Sequence, residues 1–365
     1  MESLQDKREP RDLQIKNNTH SSDQINPSDE EEPPDCAKEE GWVIVKEFLD
    51  PTSKEHRSLL SDIVEIPKGI CGAYVLQVEV NQPGEMVLEK AKQELRETEE
   101  MVNESVAKLQ ELLKKEQEEN GLIVPLENIA WLKRFLRIAH YYPESAFQKV
   151  KNYYKFKIED KNKRFYENLK PSTEEIIFNH DIMTVLPNRD QHGRRILLVE
   201  TGRRWKYNEC SLDDIFKGSV IFLEAALMEP ETQISGVVVI FDLDGLDAWQ
   251  MFHFTINPAF IFRIVDLLQT ASPIRIKSLH IINQPLGFGK LLKLFTILMS
   301  EKLQKRIHIH GADFESLHQH IDKDCLPPEY KGTCEIPRIS GPIWLEALSM
   351  LDEEYDAVSC YGYKK

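Results

Sequence analysis

Cysteine is scarce in this chain, and its spacing excludes two common ways of stabilising a fold. The 365 residues contain six cysteines, and no pair of them has the CxxC or CxxH spacing of a zinc site. Their scatter does not indicate the disulfide framework that is typical of small secreted domains. We therefore expect reduced thiols and no structural metal.

Long hydrophobic runs are missing as well. No apolar stretch approaches the roughly 20 residues that a membrane-spanning helix requires, and the first residues, MESLQDKREP, are too polar for a signal peptide. Cys360 lies too far from the end of the sequence to fit the prenylation pattern. These absences predict a cytoplasmic protein that associates with membranes only peripherally. The endosomal membrane and the plasma membrane are both candidates.

Positive charge is in deficit over the whole chain. Lys and Arg number 46 and Asp and Glu number 61, so the formal net charge is -15. Binding to nucleic acid needs a surplus of positive charge against the phosphates, so we expect no nucleic-acid partner. Residues 1–40 hold twelve acidic and five basic residues with few large apolar side chains. This composition predicts a disordered acidic tail, which is a candidate contact for a protein partner.

The motifs of common enzymes are absent too. There is no GxGxxG, GxxxxGK[ST], GxSxG or HExxH. GFGK at 287–290 has too few glycines for a phosphate loop, and the aspartates of FDLDGLD at 241–247 are interpreted as turn and capping residues. His308 and His310 alternate along a short strand with no third ligand in view, which favours ordinary strand histidines. We expect no enzyme, no catalytic residue, no metal and no cofactor, with an α/β enzyme acting on phosphate or acyl substrates as the alternative.

The chain contains two regions with different hydrophobic patterns. Apolar residues recur at helical spacing among Glu and Lys from Met86 to Asn120 and again over 131–157, which predicts a helical N-terminal lobe at 85–170. From 171 to 335, short apolar runs rich in β-branched residues alternate with helical stretches. The runs are RRILLVE (194–200), GVVVIFDLDG (236–245), SLHIINQP (278–285) and RIHIHG (306–311). This alternation predicts an α/β lobe with a mostly parallel sheet covered by helices.

The two ends of the folded part carry weaker signals. Residues 41–84 contain the strand-like runs WVIVKEFL and AYVLQVEV but no motif, so they are left as an unassigned extension. Residues 336–365 are expected to be a C-terminal tail.

One helical stretch is apolar over most of its circumference. At about 100° per residue, residues 291–303 place Lys293, Thr296 and Ser300 on one narrow polar stripe, and nearly every other position is apolar. Such a helix is buried, spans lipid or covers something apolar. From Arg275 to Arg306 there are seven basic residues and one acidic residue, a local positive excess inside an acidic chain.

Five motifs occur in a fixed order along the chain. They are RFLRIAHYYPESAFQKVKNYYKFK, VIFDLDGL, IKSLHIINQP, SEKLQKRIHIHG and CLPPEYKG. In this order and spacing they resemble the CRAL-TRIO lipid-binding family, some members of which carry tocopherol or retinaldehyde, and the resemblance covers about residues 86–335. It implies a helical lobe followed by an α/β lobe, whose cavity holds one lipid-like molecule beneath a mobile helical gate.

The resemblance also implies two sets of site residues. Family positions that line the cavity correspond here to Phe216, Ser219, Leu223, Val237, Phe241, Leu267, Leu268, Ile276 and Leu279, with gate positions at Phe288, Leu291, Leu292 and Phe295. Positions that bind phosphoinositide head groups correspond to Arg275, Lys277, Lys302 and Arg306. At two positions the chain departs from the tocopherol-binding pattern: Leu223 replaces a serine of the cavity, and Ala139 replaces an arginine of the head-group groove.

Cavity, gate and basic residues together predict an intracellular carrier. It would hold one hydrophobic ligand, tocopherol-like, retinoid-like or similar, and transfer it to phosphoinositide-containing membranes. Lys302 and Arg306 are expected to lie on one face of a helix continuous with the gate, so that binding a head group would favour opening. The second hypothesis is a signalling or trafficking scaffold that binds phosphoinositides and has no cavity.

Overall fold

A computed structural model of the protein describes residues 41–364, so the acidic segment 1–40, for which the sequence predicts disorder, lies outside the described residues. The strands are β1 (Val43–Phe48), β2 (Glu65–Cys71), β3 (Tyr74–Gln77), β4 (Leu122–Ile123), β5 (Met183–Val185), β6 (Arg195–Glu200), β7 (Val237–Asp242), β8 (Ile276–Ile282), β9 (Ile307–Gly311) and β10 (Gly362–Tyr363). The α-helices are α1 (Glu85–Leu95), α2 (Glu99–Asn120), α3 (Ile129–Ile138), α4 (Pro143–Ile158), α5 (Asp160–Lys163), α6 (Glu175–Asn179), α7 (Thr201–Arg204), α8 (Leu212–Leu227), α9 (Pro230–Ser235), α10 (Ala248–Ile256), α11 (Pro258–Asp266), α12 (Phe288–Leu298), α13 (Glu301–Gln304), α14 (Phe314–His318), α15 (Gly341–Ser349) and α16 (Asp352–Ser359).

The central sheet confirms the predicted α/β fold. Its strand order is β5-β6-β7-β8-β9, in which β5 pairs antiparallel with β6 and all other neighbours are parallel. Successive side chains of a strand point to opposite faces, and on β7 Val239 joins the apolar cluster of one face whereas Val238 and Ile240 join that of the other. Because both faces are covered, the strands are continuous apolar runs in the sequence.

A helical region precedes the sheet, as predicted, but the helix expected over 86–120 is two helices. α1 ends where Arg96 adopts the left-handed conformation at φ 68°. Thr98 then caps α2, because its side chain accepts a hydrogen bond from the backbone amide of Met101. Pro143 begins α4, where its missing amide proton costs no helical hydrogen bond. Helices α2, α3 and α4 bury an apolar cluster of their own around Trp131 and Tyr154.

The unassigned extension and the predicted tail are both folded. Strands β1, β2 and β3 form an antiparallel sheet, and α15 and α16 follow the central domain. The indole of Trp42 donates to the carbonyl of Pro337 at 3.0 Å, and the backbone amide of Leu60 donates to the carboxylate of Glu354 at 2.7 Å. Residues 41–364 lie in one compact unit, and the predicted boundaries at 85, 171 and 335 remain predictions.

The apolar helix predicted over 291–303 is interrupted. α12 ends at Leu298, Met299 has an extended backbone, and Ser300 caps the short helix α13. Lys302 lies on α13, whereas Arg306 follows the end of that helix. The continuous helix and the shared helical face that the sequence predicted for Lys302 and Arg306 are therefore wrong. A serine is a good helix N-cap, and this local signal outweighed the apolar periodicity.

Among residues 41–364, no single helix has the length and apolar character needed to cross a bilayer. The pair Ala248–Ile256 and Pro258–Ala271 meets both criteria when taken together, but it bends by 76° at its break.

Candidate ligand cavity and basic patch

A cavity of about 250 Å³ lies between the central sheet and the helices that follow its strands. Its floor is the sheet face on which Val199 of β6, Phe241 of β7 and Ile281 of β8 stand side by side in register. Helices α8, α10, α11 and α12 supply the opposite wall. The cavity is therefore built where the apolar side chains of alternate strand positions meet an apolar helix layer.

All but one of the predicted cavity and gate residues line this cavity. They are Ser219, Leu223, Val237, Phe241, Leu267, Leu268, Ile276, Leu279, Phe288, Leu291, Leu292 and Phe295. Their contact with a ligand remains a prediction.

Phe216 is the exception, since it does not line the cavity. Its fully buried ring packs edge-on against Phe165 with the centroids 5.1 Å apart, and the guanidinium of Arg263 lies 5.2 Å from its centroid. The neighbouring Ile215 lines the cavity instead. Side chains of α8 that are 100° apart around the helix face different layers, so an assignment that is off by one residue moves a side chain from the wall into the core.

Three polar side chains of the wall, Arg195, Glu229 and Ser219, are already paired. The side-chain oxygen of Gln77 is buried and has no hydrogen-bond partner among the described residues. Arg195 forms two hydrogen bonds with Glu229, at 2.9 and 2.6 Å, and also donates to the carbonyl of Gln77 at 3.1 Å. Burial opposes ionisation of Glu229, but the charge of Arg195 outweighs it and lowers the pKa of Glu229 to about 2. The hydroxyl of Ser219 donates to the carbonyl of Ile215 at 2.8 Å. The wall is therefore suited to hydrocarbon rather than to a strongly polar head group.

Helix α12, which carries the predicted gate residues, is buried on one side and exposes both apolar and basic side chains on the other, Lys290 and Lys293 among them. Phe288 and Leu291 are buried towards the cavity, whereas Ile297 is 73% exposed. Neighbouring elements add further exposed apolar side chains, and we call this set the apolar face. It consists of Trp249, Phe252 and Ile256 of α10, Phe262 of α11, Leu286 before α12, and Leu294 and Ile297 of α12. Exposed apolar groups at this density are typical of a contact surface.

The predicted head-group residues, which we call the basic patch, are Arg275, Lys277, Lys302 and Arg306. Arg275 and Lys277 both lie 3.3 Å from the carboxylate of Glu94 on α1. Arg275 also donates to the carbonyl of Ile234, and Arg306 to that of Ile276, so part of the patch is held by backbone groups. Lys302 is exposed and has no ion-pair or hydrogen-bond partner among residues 41–364.

Three residues beside the basic patch were missed by the sequence reasoning. Burial, followed by the charges of Arg275, Lys302 and Lys277, lowers the pKa of His140. Burial and then the charge of Lys302 lower the pKa of Lys149 to about 8. Glu94 is the third, and it supplies the carboxylate that the cations share. All three belong to the helical lobe. No motif marks them, so their basic or acidic character was the only signal in the sequence that they lie beside the patch.

The aspartates of the segment FDLDGLD have a structural role in the described chain. This agrees with their interpretation as turn and capping residues. The carboxylate of Asp242 accepts hydrogen bonds from the backbone amide of Asp244 at 3.0 Å, from Asn283 at 2.9 Å and from the Tyr330 hydroxyl at 3.1 Å. These bonds tie the ends of β7 and β8 to the segment that follows α14.

His308 and His310 belong to a cluster of four imidazoles on the sheet face opposite the cavity, with His280 and His320. Ring centroids within the cluster are 4.2 to 6.4 Å apart, and Nδ1 of His280 lies 2.9 Å from Nε2 of His310. Burial and the neighbouring histidines lower the pKa of His280 to about 3 and that of His310 to about 4. No group of three or more His, Cys, Asp or Glu side chains in residues 41–364 is arranged to hold a metal ion.

The α/β part of the chain matches a known protein family, and a longer part of the chain matches individual relatives. The family model described as CRAL/TRIO domain matches residues 179–332, which include the central sheet and the gate helix. A mouse protein named alpha-tocopherol transfer protein-like is 30% identical over 276 residues, which cover 76% of this chain and 78% of the relative. The chain belongs to the CRAL-TRIO family.

One further relative and one solved structure are also similar to this CRAL-TRIO protein. Rat clavesin-1 is 28% identical over 283 residues, covering 76% of this chain and 75% of the relative. The crystal structure of Sfh5 aligns at a TM-score of 0.44 and 14% identity, covering 68% of this chain and 96% of that chain.

Segments outside the matched domain also reach the cavity of this CRAL-TRIO protein. Leu76, Gln77 and Val78 come from the end of β3 and the residue after it, and Trp344 comes from α15. Sequence reasoning missed all four. The strand-like run AYVLQVEV was the signal in the extension, but it did not indicate what the strand packs against.

Proposed function

We propose that this CRAL-TRIO protein is a non-enzymatic carrier, which holds one hydrophobic, lipid-like ligand in its cavity and transfers it to phosphoinositide-containing membranes. The observation that carries this proposal is the apolar cavity beneath α12, a helix whose other side exposes Leu294 and Ile297 together with lysines. One helix can then cover the ligand when closed and contact lipid when open.

A largely hydrocarbon ligand fits the wall best. Apolar contact contributes about 2.5 kcal/mol for each 100 Å² removed from water, so a lipid needs no covalent bond or strong polar contact to be held. The name of the mouse relative suggests tocopherol, but a wall with Leu223 offers no hydrogen bond to a ligand hydroxyl at that position. Tocopherol-like, retinoid-like and other chain lipids therefore all belong to the proposed class.

Membrane contact would combine the apolar face with the basic patch. A Lys or Arg near an anionic leaflet contributes about 1 kcal/mol, and Lys302 is exposed for such a contact. Arg275 and Lys277 now share the carboxylate of Glu94. A phosphate of a lipid head group could replace that carboxylate, because it offers the same kind of acceptor with more negative charge.

The scaffold hypothesis is disfavoured by the cavity itself. A protein that only binds phosphoinositides and a partner gains nothing from an apolar space of about 250 Å³, because unfilled apolar volume lowers stability.

Lipid extraction and vesicle transfer test the proposal. Protein purified from eukaryotic cells should release an intact hydrophobic lipid that mass spectrometry identifies. Protein loaded with retinol should deliver it faster to vesicles that contain phosphatidylinositol bisphosphate than to neutral vesicles. Recovery of no lipid, together with no binding of retinol or tocopherol, would contradict the carrier function; equal delivery to both vesicle types would contradict only the phosphoinositide step.

A further inference from the structure

One wall of the cavity is built by chain segments outside the matched CRAL/TRIO domain. The domain match spans 179–332, whereas Leu76, Gln77, Val78 and Trp344 line the cavity from the extension and from α15. We call these four residues the partition. This wall therefore depends on segments that the domain match does not cover.

A second, smaller space lies behind the partition. This pocket, of about 20 Å³, is lined by the same four residues. The others around it belong to the β1–β3 sheet and to the segment leading into and along α15: Ile44, Pro67, Gly69, Ile339, Ile343, Ala347 and Leu348. The cavity and the small pocket therefore have the four residues of the partition in common.

The partition is fixed to the body of the protein. The carbonyl of Gln77 accepts a hydrogen bond from Arg195 at 3.1 Å, and Arg195 is itself held by Glu229. The indole of Trp344 donates to the hydroxyl of Thr184 at 2.9 Å. Leu76 is buried. A wall with these attachments is a rigid stop for a ligand, in contrast to the gate helix, whose outer side is exposed.

We propose that the partition sets the length of hydrocarbon chain that the cavity accepts, with Leu76 as the residue against which the far end of the ligand stops. This inference rests on the proposed carrier function. A rigid apolar wall discriminates chain length because a chain that is too long must displace packed atoms, and one that is too short leaves unfilled volume. One methylene in an apolar pocket changes affinity by about tenfold or more.

Two substitutions at Leu76 move the stop in opposite directions. Leu76→Trp fills the end of the cavity, and Leu76→Ala joins it to the small pocket. The matched control is Val75→Trp, because Val75 precedes Leu76 on β3 and is 51% exposed. Each full-length protein is incubated with an equimolar mixture of straight-chain primary alcohols of graded length, and native mass spectrometry measures which chains are bound.

The expected result is an optimum that shifts to shorter chains in Leu76→Trp and to longer chains in Leu76→Ala, with the bound ratio of neighbouring lengths changing by about tenfold. Val75→Trp should keep the wild-type optimum. General destabilisation lowers binding of every chain and cannot move the optimum in opposite directions. Binding by all four proteins with one common optimum would overturn this inference alone, whereas no binding by the wild type would overturn the carrier function and the inference with it.

Discussion

Phe241 offers the sharpest test of the cavity. Its ring stands on β7 between Val199 of β6 and Ile281 of β8, and all three side chains line the cavity floor. Neither flanking side chain can form a hydrogen bond or an ion pair with a carboxylate. Phe241→Asp therefore places a charge directly beneath the ligand, with no partner supplied by the adjacent strand positions.

The size of the effect follows from two contributions. Loss of the ring removes apolar contact worth about 1.5–3 kcal/mol when fully formed, and an uncompensated buried charge costs about 3–5 kcal/mol. In the ligand-free protein the carboxylate can be hydrated by water in the cavity, whereas a bound lipid removes that water. The charge contribution alone predicts that the Kd rises between roughly a hundredfold and a few thousandfold.

Retinol titration is a suitable assay, because retinol fluorescence increases in apolar surroundings. The matched control is Phe262→Asp, since Phe262 belongs to the apolar face and is 58% exposed; it should leave the Kd unchanged in solution. Circular dichroism and urea unfolding establish that each variant is folded. A folded Phe241→Asp protein with the wild-type Kd would show that the ligand does not lie on this floor.

Three further predictions concern the membrane surface and the histidines. The double substitution Lys277→Ala and Lys302→Ala should weaken binding to vesicles containing phosphatidylinositol bisphosphate by about 2 kcal/mol without changing retinol affinity, as vesicle flotation measures. Ile297→Asp should slow retinol transfer to vesicles in a stopped-flow assay and leave the Kd in solution unchanged. Stability should fall from pH 7 to pH 5, because unfolding returns the pKa of His280 from about 3 to its usual 6.5. The unfolded state then binds more protons, so this one group removes about 2 kcal/mol by pH 5.

Each of these has its control. Lys114→Ala with Lys115→Ala removes the same charge from α2, so equal weakening by both double variants would indicate that the basic patch acts only through net charge. Wild-type transfer rates in Ile297→Asp would exclude the exposed side of α12 from membrane contact. Urea unfolding at a series of pH values measures the third effect, and the same pH slope in His280→Asn as in the wild type would contradict the assignment to His280.

Local sequence patterns were sufficient for the fold class, and the family resemblance supplied many of the residues that line the cavity. Alternation along a strand follows from backbone geometry, which depends only on neighbouring residues, and it explains why Val237 and Phe241 of β7 line one space. Ile276 departs from the alternation of Leu279, because the register between β7 and β8 shifts beside Val237. The apolar character of 291–303 indicated a helix that is buried, spans lipid or covers something apolar.

The tertiary structure decided what depends on contacts between distant segments. Phe216 turns to Phe165 rather than to the cavity, because the rotation of α8 is set by the helices packed on it. The extension and α15 reach the same wall, although Leu76 and Trp344 are far apart in the chain. Apolar periodicity predicts that a side chain is buried, but it does not predict which other element that side chain packs against. The four histidines meet for the same reason: β8, β9 and the segment after α14 bring His280, His308, His310 and His320 together. Periodicity is a property of neighbouring residues, whereas the shape of a cavity is a property of elements that the chain brings together from a distance.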